Sequence, residues 1–479
     1  MQKVKALTFS IPLLILAHAM IITGAWAEGE YKVSFQQFSD SKTFYDDPRP
    51  VFKDLSIKKV LPSDAYAQVT YNEEEMKNLW AEVVGVRSPE VVGEIAPEIK
   101  PGKYTYRDKE KYPGLKELMI PMNYERFRPG QPPLAGNFSE MEIIPTRQYY
   151  YSIPIGEATK KYAGATKQDE NGYIIEDSYA SGLPFPRPSG KFKAQQIMYN
   201  WEKRYLGSDN YYLIQQGKGF NSKLAEDFDT NAIAWRLKLN ARATIPPYGW
   251  YDERAQKRGE QSTYLFQQLS PRDMYGNVIN STKFVGINDY DQFLVYIAMM
   301  RRIRKLSGTD TQDIAAGSDT IYEDYEGFSQ KLSPTRFPYK YEVLAEREYL
   351  VPSYSLDGSE YIRKEGLELG NVKFERRPCY VVQLTQLHNT YVYGRLVIYL
   401  DAETFLWHRI ENYDQKDRLY RDCDLVAGFS PETGNYTFWL VSNLDNLDYH
   451  STVAFGYQIP ALWLARDHVS MRSIIAKGK

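Results

Sequence analysis

Residues 391–414 read YVYGRLVIYLDAETFLWHRIENYD, and their pattern decides the fold. Val392, Leu396, Ile398 and Leu400 fall on one side of an extended chain, with Tyr393, Arg395, Val397 and Tyr399 on the other, the period of two of a strand with unlike faces. Asp401-Ala402-Glu403-Thr404 has turn chemistry and leads into a second strand over 405–412. Asp414-Gln415-Lys416-Asp417 repeats the turn, and 419–426 follows as a third strand, so the segment predicts consecutive antiparallel hairpins. The face that mixes tyrosine with arginine is too polar for a dry core and too apolar for bare solvent. It needs either a wet cavity or a cover from another segment.

The same alternation recurs upstream, where Ile233, Trp235, Leu237 and Leu239 interleave with Ala234, Arg236, Lys238 and Asn240. No repeat of fixed period and no low-complexity tract interrupts it, so one large curved sheet is the economical fold. The 40 tyrosines, 21 phenylalanines and 8 tryptophans of the 479 residues fit strands and half-wet surfaces. They leave open a broad sheet or a cavity lined with rings. Lys and Arg number 59 against 61 Asp and Glu, a near-neutral balance that argues against a nucleic-acid partner.

At the N-terminus Lys3 and Lys5 precede an apolar run over 11–22, followed by Ala25-Trp26-Ala27. These are the three parts of a secretory signal peptide, expected to be cut after Ala27; the run is shorter than the roughly 20 residues that span a bilayer. With no cysteine near the cut, the expected product is a soluble periplasmic body. Residues 28–145 read as an N-terminal arm, extended over 28–70, and a proline-rich wrapping segment. Within them Asn72 can cap a helix with Glu75 three residues on, carrying Met76, Leu79, Trp80 and Val83 as one stripe. A short helix is expected around 115–119. Residues 146–479 hold the curved sheet, as one structural unit with 28–145.

Cys379 and Cys423 are the two cysteines, and an oxidising periplasm would permit a disulfide between them. They fall on the first and fourth strands of the meander, not direct neighbours in a flat sheet, so both bonded and free states stay open. Chemistry-bearing motifs are few. Beyond residue 27 the histidines are His388, His408, His450 and His468, no two at the spacing of a zinc-binding helix, and no metal site or cofactor is predicted. No nucleophile elbow, phosphate-cradling loop or haem attachment site is present, so no catalytic residue is assigned. Asp401 and Glu403 read as turn acids.

Residues 291–324, DQFLVYIAMMRRIRKLSGTDTQDIAAGSDTIYED, resemble the periplasmic lipoprotein carrier LolA and its relatives. The likeness lies in a strand, a turn, the arginine-rich strand with Arg301, Arg302 and Arg304, then Gly317-Ser318-Asp319 and the acids Glu323 and Asp324. Gly182-Leu183-Pro184-Phe185-Pro186, Tyr199-Asn200-Trp201 with Arg204-Tyr205, and Tyr399–Thr404 with Tyr413-Asp414 are similar to a larger Gram-negative family. That family is domain of unknown function 1329, often described as outer-membrane lipoprotein-sorting proteins. The resemblance implies a mainly β (α+β) fold: a large curved antiparallel sheet forming a half-open LolA-like barrel, with helices packed against its concave side around a hydrophobic cavity. One departure is the turn over 296–300, which lacks the proline that relatives usually carry.

Arg301, Arg302 and Arg304 have guanidinium forks suited to a lipid headgroup or a carrier partner; alternatively they pair with Asp319, Glu323 and Asp324. Trp235, Tyr393 and Tyr399 are the candidate ligand-facing rings. Leu183, Pro184, Phe185 and Pro186 form a rigid approach to the sheet, with Phe185 as a core plug; Asn200, Trp201, Gly317, Ser318, Asp319 and Asp324 are motif residues with packing roles. The leading reading is a non-catalytic periplasmic carrier for lipid-like or other hydrophobic molecules. An accessory subunit docking on an inner-membrane exporter or outer-membrane pore is second, and a carbohydrate-active enzyme third. An outer-membrane barrel is disfavoured by the scarcity of repeated lipid-facing strands.

Overall fold

In the computed structural model the described residues are 56–306, 312, 320–321, 324, 331–356, 362–363, 367–447 and 450–477. The expected signal peptide, Gly317, Ser318, Asp319 and Glu323 lie outside the described residues. The strands are β1 Gly102–Thr105, β2 Glu140–Ile143, β3 Asn210–Phe220, β4 Glu226–Lys238, β5 Glu260–Ser270 and β6 Val278–Phe284. They continue as β7 Gln292–Ile297, β8 Arg302–Leu306, β9 Tyr339–Pro352, β10 Ile362–Arg363, β11 Leu369–Gly370 and β12 Lys373–Gln386. The last five are β13 Arg395–Asp401, β14 Trp407–Tyr413, β15 Leu419–Ser430, β16 Asn435–Asn446 and β17 His450–Pro460.

Fifteen of these form one sheet in the order β1-β2-β12-β13-β14-β15-β16-β17-β3-β4-β5-β6-β7-β8, with β9 on the other side of β12. It is a large sheet that does not close into a barrel. The short β2–β12 contact is parallel, and the remaining pairs of the sheet are antiparallel. The hairpins expected from 391–426 are β13, β14 and β15. The alternation does not pass through Gly394, however. A Cβ there would sit 2.8 Å from the Asp414 carbonyl oxygen, so this close approach requires glycine. The chain bends, and Tyr393 joins the same apolar cluster as Leu396, Ile398 and Leu400.

Side chains that alternate along a strand point to opposite faces, and both faces are covered. Tyr212, Ile214, Ile233, Trp235, Leu237, Leu265 and Phe455 share one cluster with Ile57, Leu61, Ala65 and Met471. Tyr211, Leu213, Ala234, Val382, Leu396 and Ile410 share the other with Trp80, Ile155, Ile197 and Trp201. A small third cluster joins Val397 and Tyr399 to Tyr349, Val351, Cys379, Val381 and Ile120. Of the two expectations for the tyrosine-bearing face of β13, a cover from another segment holds. Cys379 and Cys423 are buried and free. They sit on β12 and β15, three strand spacings or about 14 Å apart across the sheet and also out of register along it, and they face different clusters, which no disulfide can bridge.

The helix Glu73–Val84 forms as its cap predicts: Asn72 Oδ1 accepts from Glu75 N at 3.0 Å, and Gly85 ends it in the left-handed region at φ 76°. Trp80 is fully buried, and its indole donates to the Glu403 carbonyl at 2.9 Å. The short helix over 115–119 is present as Gly114–Leu118. The arm is not extended throughout, because Ile57–Val60 and Ser63–Gln68 are short helices. Ile57, Leu61 and Ala65 recur every four residues and are buried, a helical signal hidden by Pro62 between them.

The proline-rich segment over 85–145 has only short regular elements, yet much of it is buried, so the backbone groups outside them must find partners elsewhere. Buried charges of the sheet region supply them. Glu348 accepts from Gly93 N at 2.5 Å and from Ile95 N. Glu368 accepts from Gly130 N at 3.0 Å and Ser139 N at 2.7 Å. Arg376 donates to the carbonyls of Ile95, Ala96 and Ile99 at 2.5–2.7 Å.

Candidate functional site

The motif Asp401-Ala402-Glu403-Thr404 marks the centre of the site. Asp401 Oδ1 accepts from Glu403 N at 2.8 Å and Thr404 N at 2.9 Å, closing the turn between β13 and β14. The turn role read from the sequence holds for Asp401, and both carboxylates are in addition fully buried. Arg377, one residue along β12 from Arg376, reaches both. Its Nε lies 2.7 Å from Asp401 Oδ2, and Nη2 lies 3.2 Å from Asp401 Oδ1 and 2.6 Å from Glu403 Oε2.

Glu403 also accepts from Ser88 N at 3.2 Å, Ser88 Oγ at 2.9 Å and Tyr149 N at 2.9 Å. Glu375, likewise buried, accepts from Arg147 N at 2.9 Å and from the Tyr149 hydroxyl. Burial alone would raise the Asp401 carboxyl, but Arg377 and His408, 3.3 Å away, hold it well below the usual carboxylate range. Glu403 moves up instead, because burial outweighs the pull of Arg377 and Asp401 adds to the rise. The difference follows geometry, since Asp401 takes the two-pronged contact. Asp401 and Glu403 are thereby committed to Arg377 and closed off from solvent.

This network fixes residues 147–151 against the sheet, and a groove of about 420 Å³ opens beside them. Tyr149, Tyr150, Phe429, Leu356 and Pro431 give it an apolar floor; Lys77, Arg87, Arg147, Glu73 and Glu74 supply charge. Tyr149 and Tyr150 each meet Phe429 edge-on at 5.1 Å. Lys77 holds both acids, Glu73 at 2.8 Å and Glu74 at 2.9 Å. The guanidinium side chains of Arg87 and Arg147 remain 35% and 28% exposed. Arg87 donates to Gln148 Oε1 at 3.2 Å and Asn78 Oδ1 at 2.8 Å, and Arg147 to the Tyr354 carbonyl at 2.7 Å. Half-exposed guanidinium groups beside an apolar wall suit an amphipathic molecule with an anionic end.

The ligand-facing candidates read from sequence are dispersed. Trp235 packs at 5.7 Å from Tyr212 in one cluster, Tyr393 lies in the second, and Tyr399 meets Tyr349 at 5.5 Å in the third. The Tyr393 hydroxyl donates to Asp324, and Arg421 donates to that hydroxyl at 2.9 Å and stands 3.4 Å from the Asp324 carboxylate. Burial pushes Asp324 up against the pull of Arg421. Asp324 therefore pairs with Arg421, while Arg301, Arg302 and Arg304 are exposed on and beside β8. Leu183, Pro184 and Pro186 are buried, and Phe185 is half-buried against Tyr199 at 6.1 Å. Asn200 bonds the Phe185 backbone twice, accepting from its N–H at 3.0 Å and donating to its carbonyl at 2.6 Å. Trp201 packs edge-on against Trp407, with the Arg204 guanidinium 3.6 Å from its ring centre. Sequence reading passed over Arg377, Glu375 and Arg147; the one signal was Arg376-Arg377, two adjacent arginines inside a strand.

A second buried charge cluster joins Arg126 and Arg409 to acids on β15 and β16. Arg126 stands 2.8 Å from Asp422 and also meets Asp445, while Arg409 stands 2.6 Å from Asp424 and also meets Asp422. Among the described residues no group of three His, Cys, Asp or Glu side chains could hold a metal ion. No described helix is long and apolar enough to cross a membrane.

Comparison with known proteins completes the picture. An uncharacterized protein of Pseudomonas aeruginosa is 22% identical over 323 residues, covering 63% of this chain and 66% of the relative, just under two thirds of its length. A domain from Vibrio parahaemolyticus assigned to outer membrane lipoprotein sorting aligns with a TM-score of 0.42 at 13% identity, over 59% of this chain and 98% of that one. A DUF1329 family protein from Desulfovibrio piger gives 0.39 at 16% identity, over 56% and 92%. A LolA superfamily protein from Nitrosomonas europaea gives 0.36 at 12% identity, over 58% and 98%. The sequence profile of the family described as protein of unknown function (DUF1329) matches residues 125–456, most of the chain, and the chain belongs to that family.

Proposed function

We propose that the chain is a non-catalytic periplasmic binding or carrier protein for lipid-like or other hydrophobic molecules, and that the groove beside residues 147–151 receives them. The observation that carries this reading is the groove itself. It has the volume of a small-molecule site, within the usual range of about 300–1,000 Å³, an aromatic floor, and two half-exposed guanidinium groups at its rim. Lys77 pairs with its two carboxylates, and Arg87 and Arg147, although they stand 3.8 Å from Glu90 and 3.5 Å from Glu375, keep part of their guanidinium surface open toward an anionic end. The signal-peptide reading of residues 1–27 supports the compartment.

Native mass spectrometry of the protein purified from periplasm, with bound material extracted after denaturation, tests the proposal. The expected result is a hydrophobic compound in near-stoichiometric amount that is lost in Leu356→Trp, a substitution at a 45% exposed position lining the groove. A clean apo mass that does not change on incubation with a lipid extract would sink the reading. Retention of the compound by Leu356→Trp at the parental amount would remove the groove as its seat.

A further inference from the structure

The β7–β8 hairpin stands at one end of the strand order, and among the described residues β8 pairs with β7 alone. Its tip carries Met299 at 79% exposure, Met300 at 44% and Ile303 at 50%. Arg301, Arg302, Arg304 and Lys305 are all exposed around them. Arg301 holds the turn in the left-handed region at φ 50°, and Arg302 and Arg304 share one face of β8, with Ile303 and Lys305 on the other. Four cations and three large apolar side chains thus occupy seven consecutive positions.

Edge strands are often given cations to prevent edge-to-edge pairing, and this accounts for Arg302 and Arg304. It does not account for two exposed methionines and an isoleucine, which work against that purpose. Apolar side chains ringed by cations are instead the composition of a segment that lies in a lipid interface, where each Lys or Arg gains from anionic headgroups and the apolar groups enter the acyl boundary. We propose that the β7–β8 hairpin, through Met299, Met300 and Ile303 with Arg301, Arg302, Arg304 and Lys305, docks the protein on the surface of an anionic phospholipid bilayer. This docking does not depend on the groove reading.

Co-sedimentation of the purified protein with vesicles tests it, comparing phosphatidylcholine alone with an equal mixture of phosphatidylcholine and phosphatidylglycerol. Binding is expected to the mixed vesicles only. It should weaken as salt rises from about 0.1 M to about 1 M, where the screening length falls from about 10 Å to about 3 Å. Arg302→Ser with Arg304→Ser should weaken it at least tenfold, and Met299→Ser with Ile303→Ser severalfold. Equal binding to both vesicle types, no binding, or variants that bind as the parent does would each overturn the proposal. So would a charge variant that self-associates without vesicles while keeping its vesicle affinity, the result expected of edge protection alone. A second measurement does not rely on removing charge. An environment-sensitive fluorophore on Met299→Cys, selective because both native cysteines are buried, should shift to the blue with mixed vesicles only. One on Val91→Cys, an exposed site outside the hairpin, should not. No shift at position 299 would also overturn the docking.

Discussion

Two adjacent arginine pairs, Arg376-Arg377 and Arg301-Arg302, meet opposite fates. On β12 the pair is buried, one arginine on each face: Arg376 takes three backbone carbonyls of residues 95–99, and Arg377 takes Asp401, Glu403 and the Arg147 carbonyl. At the β7–β8 turn the pair is exposed and carries no described ion pair. What differs is the supply of partners. Along β12 the wrapping segment brings backbone groups that lack a strand or helix partner, and buried arginine satisfies several at once. At β8 no described segment brings such groups. A charged pair in a strand is thus evidence of a clasp in one setting and of a contact surface in the other.

The largest expected effect breaks the clasp. Arg377→Met leaves Asp401 and Glu403 without the arginine they share, and removing one side of a buried ionic contact costs about 3–5 kcal/mol. Urea unfolding of parent and variant measures it; a loss below about 1 kcal/mol would show that the network does not hold the wrapping segment. The second cluster gives a pH-dependent test. Burial, with Asp422 adding and Arg126 opposing, pushes the Asp445 carboxyl up to about 6. Its folded value exceeds the unfolded one of about 3.9, so the folded state holds the proton more tightly. That contribution is complete below about pH 4 and lost as pH rises through about 6, a fall of up to about 3 kcal/mol. Asp445→Asn keeps an uncharged group there, so its stability relative to the parent should be near zero at pH 4 and rise by pH 8. A flat difference, or a loss at pH 8, would mean that ionised Asp445 is needed by Arg126.

What was legible in the sequence is what one segment can carry by itself. The β13–β15 hairpins follow from alternation and turn residues, the helix Glu73–Val84 from Asn72 and its apolar stripe, and the arginine-rich β8 from its likeness to LolA relatives. Alternation misplaced Tyr393 because Gly394 bends the strand against Asp414. The groove and its supporting network were not legible, since their contacts join distant parts of the chain: Ser88 to Glu403 spans 315 positions and Arg147 to Arg377 spans 230. Asp401 and Glu403 have the sequence of an ordinary turn; only the packing of residues 88 and 149 over them turns that acid pair into a buried clasp.

The smallest expected effect sharpens the contrast from the other end. Arg302→Ser with Arg304→Ser removes as much positive charge as breaking both arginines of β12, yet the side chains are exposed and desolvate nothing on folding. Surface substitutions of this kind stay within about 0.5 kcal/mol each, so the unfolding midpoint of the double variant should match the parent's. A loss above about 2 kcal/mol would mean that the β8 arginines form a clasp of their own, and the comparison with β12 would fail. An unchanged midpoint places the two arginine groups in different classes: those on β12 hold the fold together, and those on β8 are available to whatever the hairpin meets.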